Sequence, residues 1–258
     1  MALPLFRINE LKIPNLNETY EISEKSFWQH LILAQRHKKG DKIKLTDGIN
    51  AAGIFEIHQI NSKNKTVFVK IIKILKVIKS KPEKIVVQAI IKSPADALAI
   101  DLLTQSGVDK IIPWKAEKSI AKWKDSHNKK FLNQIISSSE QSRRLLLPQL
   151  EKPLKTAELL SFLKHNTNSI KVFILDNSDY SEKIRNNITQ YEEPEFQNSK
   201  FRKLDAVVFI VGPEGGLSAK ELSLFRNSLD KQNCEIISLG ENIFKSSFAG
   251  AAALLKFF

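Results

Sequence analysis

Ala206-Val207-Val208-Phe209-Ile210-Val211-Gly212-Pro213-Glu214-Gly215-Gly216-Leu217-Ser218 is the stretch on which the fold turns. Its first six residues form an unbroken apolar run rich in β-branched side chains, which predicts a short strand buried on both faces, as in parallel sheets. The run leads directly into a glycine-rich loop. Ser218 follows, with Glu221 three positions further on, the pair that opens a helix as a capping box. Glycines let a backbone approach a ligand closely and expose its N–H groups, and a helix N-terminus favours negative charge. In open parallel sheets ligands collect at the carboxyl ends of strands, so Gly212, Pro213, Glu214, Gly215 and Gly216 are candidate binding residues. The spacing is neither the G-x-G-x-x-G of dinucleotide binders nor a Walker A loop, since no Gly-Lys-Ser/Thr follows. Nucleotide phosphates are not the implied ligand.

Outward from this loop the same alternation recurs. IVVQAII (85–91), DKIIPW (109–114), VFILD (172–176) and EIISL (235–239) read as strands, and helices are predicted over Pro94–Ser106, Asn128–Arg144 and Lys155–His165, after Ser218 and after Ser247. This pattern predicts an α/β unit with a parallel sheet covered on both faces. EIISL is itself followed by a glycine-led loop, Gly240 to Ser247, and by the small-residue helix FAGAAALLKFF, whose alanines and glycine permit close backbone packing. Residues 191–204 read as a surface loop or irregular insertion. Toward the N-terminus the period changes. KIKLT (42–46), AAGIFEIHQI (51–60) and TVFVKIIKIL (66–75), separated by turns at Asp47-Gly48 and NSKNK, predict a small β-barrel in the first 75 residues. A helix is expected before it, from Ser26 to Lys39 with a stop at Gly40. The expected organisation is a β-barrel domain over 1–75 and an α/β domain over 76–258.

Composition narrows the function. Of the 258 residues 42% are apolar and 26% charged, ordinary globular usage, with a formal net charge of +12. Residues 1–80 hold 14 basic and 7 acidic groups, 81–150 hold 12 and 7, and 151–258 hold 14 and 14. The basic excess therefore sits on the part of the chain away from the glycine-rich loops, where it suits a polyanion such as nucleic acid or serves as a solvated, solubilising surface. A lone cysteine, Cys234, excludes an intramolecular disulfide and fits a reducing compartment. No apolar run approaches the roughly 20 residues needed to span a bilayer, so a cytoplasmic protein without membrane contact is expected. The five histidines show no ligand spacing with Cys234, and no metal is expected. Trp114 and Trp123 flank the basic segment KAEKSIAKWK and have two readings, stacking on bases or packing in the core.

The order of strand, GPEGG, helix, strand, Leu239-Gly240-x-x-Ile243-x-Lys245-Ser246 and small-residue terminal helix resembles the SPOUT methyltransferases, and among them the RsmE-type 16S ribosomal RNA uridine-N3 methyltransferases. His30-Leu31, Arg36, Gly40-Asp41 and Asp47-Gly48 are similar to that family's N-terminal PUA-like domain. Thr104, Gly107-Val108, Ile112-Pro113 and Gln141-Ser142-Arg143-Arg144 with Pro148 follow the family's order, so the likeness runs through nearly the whole chain. The resemblance implies a C-terminal trefoil knot, an exception to the rule that chains avoid knots. It also implies S-adenosyl-L-methionine bent among the loops after VFILD, AVVFIV and EIISL. Backbone around Leu239, Gly240 and Ile243 would hold the adenine, with Leu175, Gly212, Glu214, Gly215, Gly216 and Ser246 completing the pocket. A homodimer acting on 16S ribosomal RNA or the small ribosomal subunit is implied as well, with Arg7, His30, Arg36 and Arg144 as RNA contacts. The sequence departs from the family's last loop at Glu241 and Asn242 (for Pro-Arg), Lys245 (for Arg) and Phe248 (for Thr).

Methylating uridine N3 requires loss of the N3 proton, alignment of N3 with the methyl donor and stabilisation of negative charge on the uracil oxygens. Lys245, Arg143 and Asn242 carry the cationic or amide donors suited to that charge. Glu214 has two readings, proton acceptor or hydrogen-bond acceptor for loop N–H groups. Two other functions share these features: a SPOUT enzyme with another target base, and a non-catalytic RNA-binding homologue.

Overall fold

The computed structural model describes residues 3–11, 13, 18–165, 169–176, 201, 203–230 and 232–258. Most of the 191–204 stretch expected to be a loop lies outside the described residues. Two compact units are present, one of residues 1–79 with 136–147 and one of 80–135 with 148–258.

The first unit contains a five-stranded sheet, with β1 Leu5–Arg7, β2 Thr19–Ile22, β3 Lys42–Thr46, β4 Ala52–Asn61 and β5 Thr66–Ile74 in the order β1-β3-β4-β5-β2. β1 runs parallel to β3 and the other pairs are antiparallel. Alternate residues of each strand point inward, and Ile43, Leu45, Phe55, Ile57, Val67, Val69 and Ile71 form one core with Phe6 and with Phe27, Trp28 and Leu31 from the helix. That helix, α1, covers only Lys25–Trp28 in α form and continues as a π-turn over Gln29–Ala34, five residues short of the expected end. Its Gln35 N–H reaches the His30 carbonyl, and Arg36 adopts a left-handed φ of 57°, which no helix can continue through. The Asp47 turn is closed by one carboxylate oxygen that accepts N–H bonds from Ile49, Asn50 and Ala51 at 2.8, 2.9 and 2.9 Å. Partial burial works against the charged form of Asp47, yet these backbone donors outweigh it and hold the carboxyl below the ordinary carboxylate range. Residues 136–147 belong to this unit through Thr46 Oγ1 donating to the Leu145 carbonyl at 2.8 Å and Arg7 N–H donating to Glu140 Oε1 at 2.9 Å.

The second unit is the α/β unit. Its strands are β6 Glu83–Ala89, β7 Lys110–Lys115, β8 Gln149–Leu150, β9 Leu154–Lys155, β10 Ile170–Leu175, β11 Ala206–Val211 and β12 Cys234–Ile237. They form one sheet in the order β12-β10-β11-β6-β7-β8, with β9 also on β7, and every pairing is parallel. The helices are α2 Ala95–Gln105, α3 Ser126–Gln141, whose residues 136–141 belong to the first unit, α4 Thr156–His165, α5 Ala219–Ser228 and α6 Ser246–Phe257. All six residues of β11 are buried, the both-faces burial expected of this run. Its Val208 and Ile210 join the core under α4 and α5 with Trp114, Leu159, Leu163 and Phe225. Phe209 turns to the opposite face, where its ring meets Phe257 of α6 at 5.2 Å. Gly250 lets α6 sit close to that face: a Cβ there would lie 2.9 Å from Leu103, 3.1 Å from Val86 and 3.3 Å from Val211. Trp114 is fully buried against Phe225, so of its two readings packing is the one realised.

Candidate functional site

The parallel register sets Ile237, Leu175, Val211 and Gln88 side by side at one level of the sheet. Beyond that level the loops diverge and leave a cleft of about 850 Å³, the size of a cofactor site. Leu175, Gly212, Pro213, Glu214, Gly215, Gly216, Leu239, Ile243, Lys245 and Ser246 all line it. Leu175 and Ser246, 71 positions apart in the sequence, thus line one cleft because three strands end together.

Each wall has a local reason for its shape. The GPEGG loop turns back through the Gly216 N–H, which donates to the Pro213 carbonyl at 2.9 Å, and Gly216 takes a left-handed φ of 68° that favours glycine. Ser218 then caps α5: its hydroxyl accepts the Glu221 N–H at 3.0 Å, and Glu221 Oε2 accepts the Ser218 N–H at 3.0 Å. Glu221 is 2% exposed and its other oxygen accepts the Glu117 N–H at 2.7 Å. The last loop is fixed at both ends. Ser238 Oγ donates to the Gly240 carbonyl at 2.8 Å, and Lys256 Nζ reaches the Leu239 carbonyl at 3.4 Å. At the other end the buried Ser246 hydroxyl donates to the Gly212 carbonyl at 2.5 Å and accepts from Gln88 Nε2 at 3.1 Å. Ser246 therefore joins the two glycine-led loops, and Gln88 supports the join from β6.

The remaining candidates distribute as follows. Lys245 is exposed on the cleft wall beside Phe244, whose ring meets Phe248 at 5.3 Å. Glu214 is exposed on the opposite loop. Gly240 and Asn242 belong to the last loop but are not part of the lining. Arg143 lies in the first unit, exposed, at a left-handed φ of 57° just past α3. Arg7, His30, Arg36 and Arg144 are in that same unit. Arg7 and His30 converge on Glu140, through the Arg7 N–H and through His30 Nδ1 at 3.7 Å. Among the described residues no group of three or more His, Cys, Asp or Glu side chains is placed to hold a metal ion, and no helix is long and apolar enough to cross a membrane.

Sequence reading missed Asp176, Ile91 and Ala95 on the cleft lining, Gln88 bonded to Ser246, and Glu117 and Lys118 bonded to the segment from Gly215 to Glu221. Asp176 and Gln88 had a usable signal, since both stand at the carboxyl end of a strand. Glu117 and Lys118 had none, because their partners lie about a hundred residues away.

A parallel sheet with a backbone-walled cleft at its carboxyl edge, shaped by glycines and a capped helix rather than by a phosphate loop, defines a class of cofactor-binding α/β proteins. Residues 79–257 match the family described as RNA methyltransferase domain, and the chain belongs to that family. It is 29% identical over 243 residues to ribosomal RNA small subunit methyltransferase E of Rickettsia conorii, covering 93% of this chain and 89% of that one. The protein of the same name from Mycobacterium bovis is 24% identical over 229 residues, 87% of this chain and 80% of its own. Among solved structures, ribosomal RNA small subunit methyltransferase E from Neisseria gonorrhoeae bound to S-adenosyl methionine superposes with a TM-score of 0.77 at 19% identity, covering 99% and 96% of the two chains.

Proposed function

We propose that the protein methylates N3 of a uridine in 16S ribosomal RNA, using S-adenosyl-L-methionine bound in the cleft at the carboxyl ends of β10, β11 and β12. The observation that carries this reading is the cleft itself, formed by an RNA methyltransferase family member from three strand-end loops. Its fit to the cofactor is chemical as well as volumetric. An adenosine with a sulfonium tail has an apolar face and several hydrogen-bonding edges but no phosphate. The walls offer Leu175, Leu239 and Ile243 for the face and exposed loop backbone for the edges. The bound sulfonium supplies an electrophilic methyl group.

The chain's own residues have three tasks. Backbone around Leu239, Gly240 and Ile243 holds the adenine, and Gly212 to Gly216 form the floor near the reacting end, with Leu175, Glu214 and Ser246 closing the sides. The Lys245 ammonium, on the cleft wall, stabilises negative charge on the uracil oxygens as N3 gives up its proton; Asn242 and Arg143 are further donors for the same charge. The target base must present its pairing edge, so it is unpaired or flipped out of its stack. RNA is held by the basic N-terminal domain, residues 1–75 in the division proposed here. Arg7, His30, Arg36 and Arg144 make contacts, and the five-stranded sheet acts as a PUA-like barrel. The domain over 76–258 carries a trefoil knot. The enzyme is a cytoplasmic homodimer that needs no metal. Support for the dimer comes from α6, where exposed Phe248 and Leu255 stand seven residues apart on one face beside exposed Phe244 and Phe258.

The test is transfer of labelled methyl from the cofactor to small-subunit RNA lacking the modification, followed by nucleoside mass spectrometry. The expected product is 3-methyluridine, and any other methylated nucleoside would refute the N3 assignment. The substitutions at Glu241, Asn242 and Lys245 favour one second reading, a homologue that binds cofactor and RNA without turnover, since lysine offers a point charge where arginine offers a bidentate fork. Cofactor binding with no methyl transferred would establish it.

A further inference from the structure

The short loop after β7 lies against the GPEGG loop and is tied to it and to the start of α5 by four hydrogen bonds between residues about a hundred apart. Lys118 Nζ donates to the Gly215 carbonyl at 3.2 Å and to the Leu217 carbonyl at 3.0 Å. Next to it, the Glu117 N–H donates to Glu221 Oε1 at 2.7 Å, and the Ser218 hydroxyl donates to Glu117 Oε2 at 2.5 Å. The Lys118 stem runs under the loop: a Cβ on Gly215 would lie 3.6 Å from Lys118 Cβ and 3.7 Å from its Cδ.

These bonds do not merely attach one loop to another. The peptide plane between Gly215 and Gly216 is held at its oxygen by Lys118 and at its nitrogen by the Pro213 carbonyl. The plane between Leu217 and Ser218 is held at its oxygen by Lys118 and at its nitrogen by Glu221. Two planes of a glycine-rich segment, the type of chain with the most conformational freedom, are thus fixed at both ends. A loop ordered before its ligand arrives avoids the entropy of ordering on binding.

We infer that Lys118 is a positioning residue for the cofactor: it clamps the Gly215 and Leu217 carbonyls and so presets the face that the GPEGG loop turns to the cleft. The inference rests on the proposed cofactor site. Lys118 is exposed and its bonds go to loop backbone, whereas the Glu117, Ser218 and Glu221 bonds do not involve its side chain. Loss of its ammonium therefore leaves the core and the α5 cap in place.

The test is calorimetric titration of the full chain with S-adenosylhomocysteine for the wild type, Lys118→Met, Lys118→Arg and Lys122→Met, with the melting temperature of each unliganded protein. A charged hydrogen bond made by an exposed lysine implies a roughly five- to tenfold weaker affinity for Lys118→Met. The melting temperature is expected to stay within about two degrees of the wild type, because no core group is touched. Lys118→Arg keeps the charge and the donors and restores affinity to within about threefold. Lys122→Met, an exposed lysine of the same segment, binds as the wild type does. Unchanged affinity in Lys118→Met, equal weakening in Lys122→Met, or failure of Lys118→Arg to restore binding would each overturn the clamp. A wild type that does not bind S-adenosylhomocysteine overturns the cofactor reading itself, and the clamp with it.

Discussion

Gly250→Ala sets helix propensity against packing at one position of α6. Alanine in place of glycine within a helix gains about 1 kcal/mol. Against this, the added methyl would stand 2.9 Å from Leu103 Cδ2, 3.1 Å from Val86 Cγ1 and 3.3 Å from Val211 Cγ2, all tighter than ordinary van der Waals contact. Leu103 can rotate its methyl away. Val86 and Val211 are β-branched and sit in the centre of the sheet on β6 and β11, so α6 must lift instead. Overpacking of this kind costs about 1–3 kcal/mol, which leaves a net loss of about 1 kcal/mol. For a chain of this size that is a fall of roughly 2–4 °C in melting temperature. The displacement also reaches the cleft, because Ser246 is one turn before Gly250 and Gly212 directly follows Val211. Calorimetric melting of the wild type, Gly250→Ala and Gly250→Val gives the ordering, with valine least stable, and titration with S-adenosylhomocysteine weakens in step. A melting temperature for Gly250→Ala above the wild type would refute the argument, since it would mean that the helix already has room for the methyl.

Ser246→Ala leaves the Gly212 carbonyl and the Gln88 amide without their shared partner, which costs about 1–3 kcal/mol in a buried setting, so both melting temperature and cofactor affinity should fall together. Burial pushes the Cys234 thiol up to about 11, with Glu235 adding to the rise and Lys171 opposing it. At pH 8 about one thiol in a thousand is then ionised, and alkylation should be far slower than for free cysteine. Asp47 has a lowered folded pKa, so its contribution to stability is present above the unfolded value of about 4 and is lost as pH falls through the folded value. Denaturant titration of Asp47→Ala should show a deficit of about 1–3 kcal/mol at pH 7 that shrinks toward pH 3; a deficit independent of pH would contradict the charge-based account.

The α/β alternation was legible because buried parallel strands leave continuous apolar runs, and β6, β7, β10, β11 and β12 each leave one. The Ser218 cap was legible because a capping box is local, complete within four residues. What sequence could not announce were contacts with no local grammar. Residues 136–147 join the first unit through single hydrogen bonds such as Thr46 to Leu145, and nothing in α3 marks where its tail changes allegiance. The early end of α1 follows from the left-handed Arg36, a conformation that an arginine rarely takes and that no pattern signals. At the cleft the glycines were readable, Gln88 was marked only by its place at the end of a strand, and Lys118 was not marked at all. A glycine reports its own backbone, whereas a supporting side chain reports only a partner that the fold has yet to bring near.

The strand order has a temporal consequence. β12 pairs with β10 at the sheet's edge, and α6 returns to cover β6 and β11, so the 25 residues from Cys234 to Phe258 supply one wall of the cleft and the serine that joins its loops. A growing polypeptide can complete the five-stranded unit's own strands, and most of the central sheet, long before those residues leave the ribosome. If the methyl donor binds in the proposed cleft, it cannot be held until they do. With the cofactor in the proposed site, its recognition is therefore acquired only once Ser246 has been made, and a chain interrupted before Ser246 would keep its basic N-terminal residues while lacking the serine that joins the two loops.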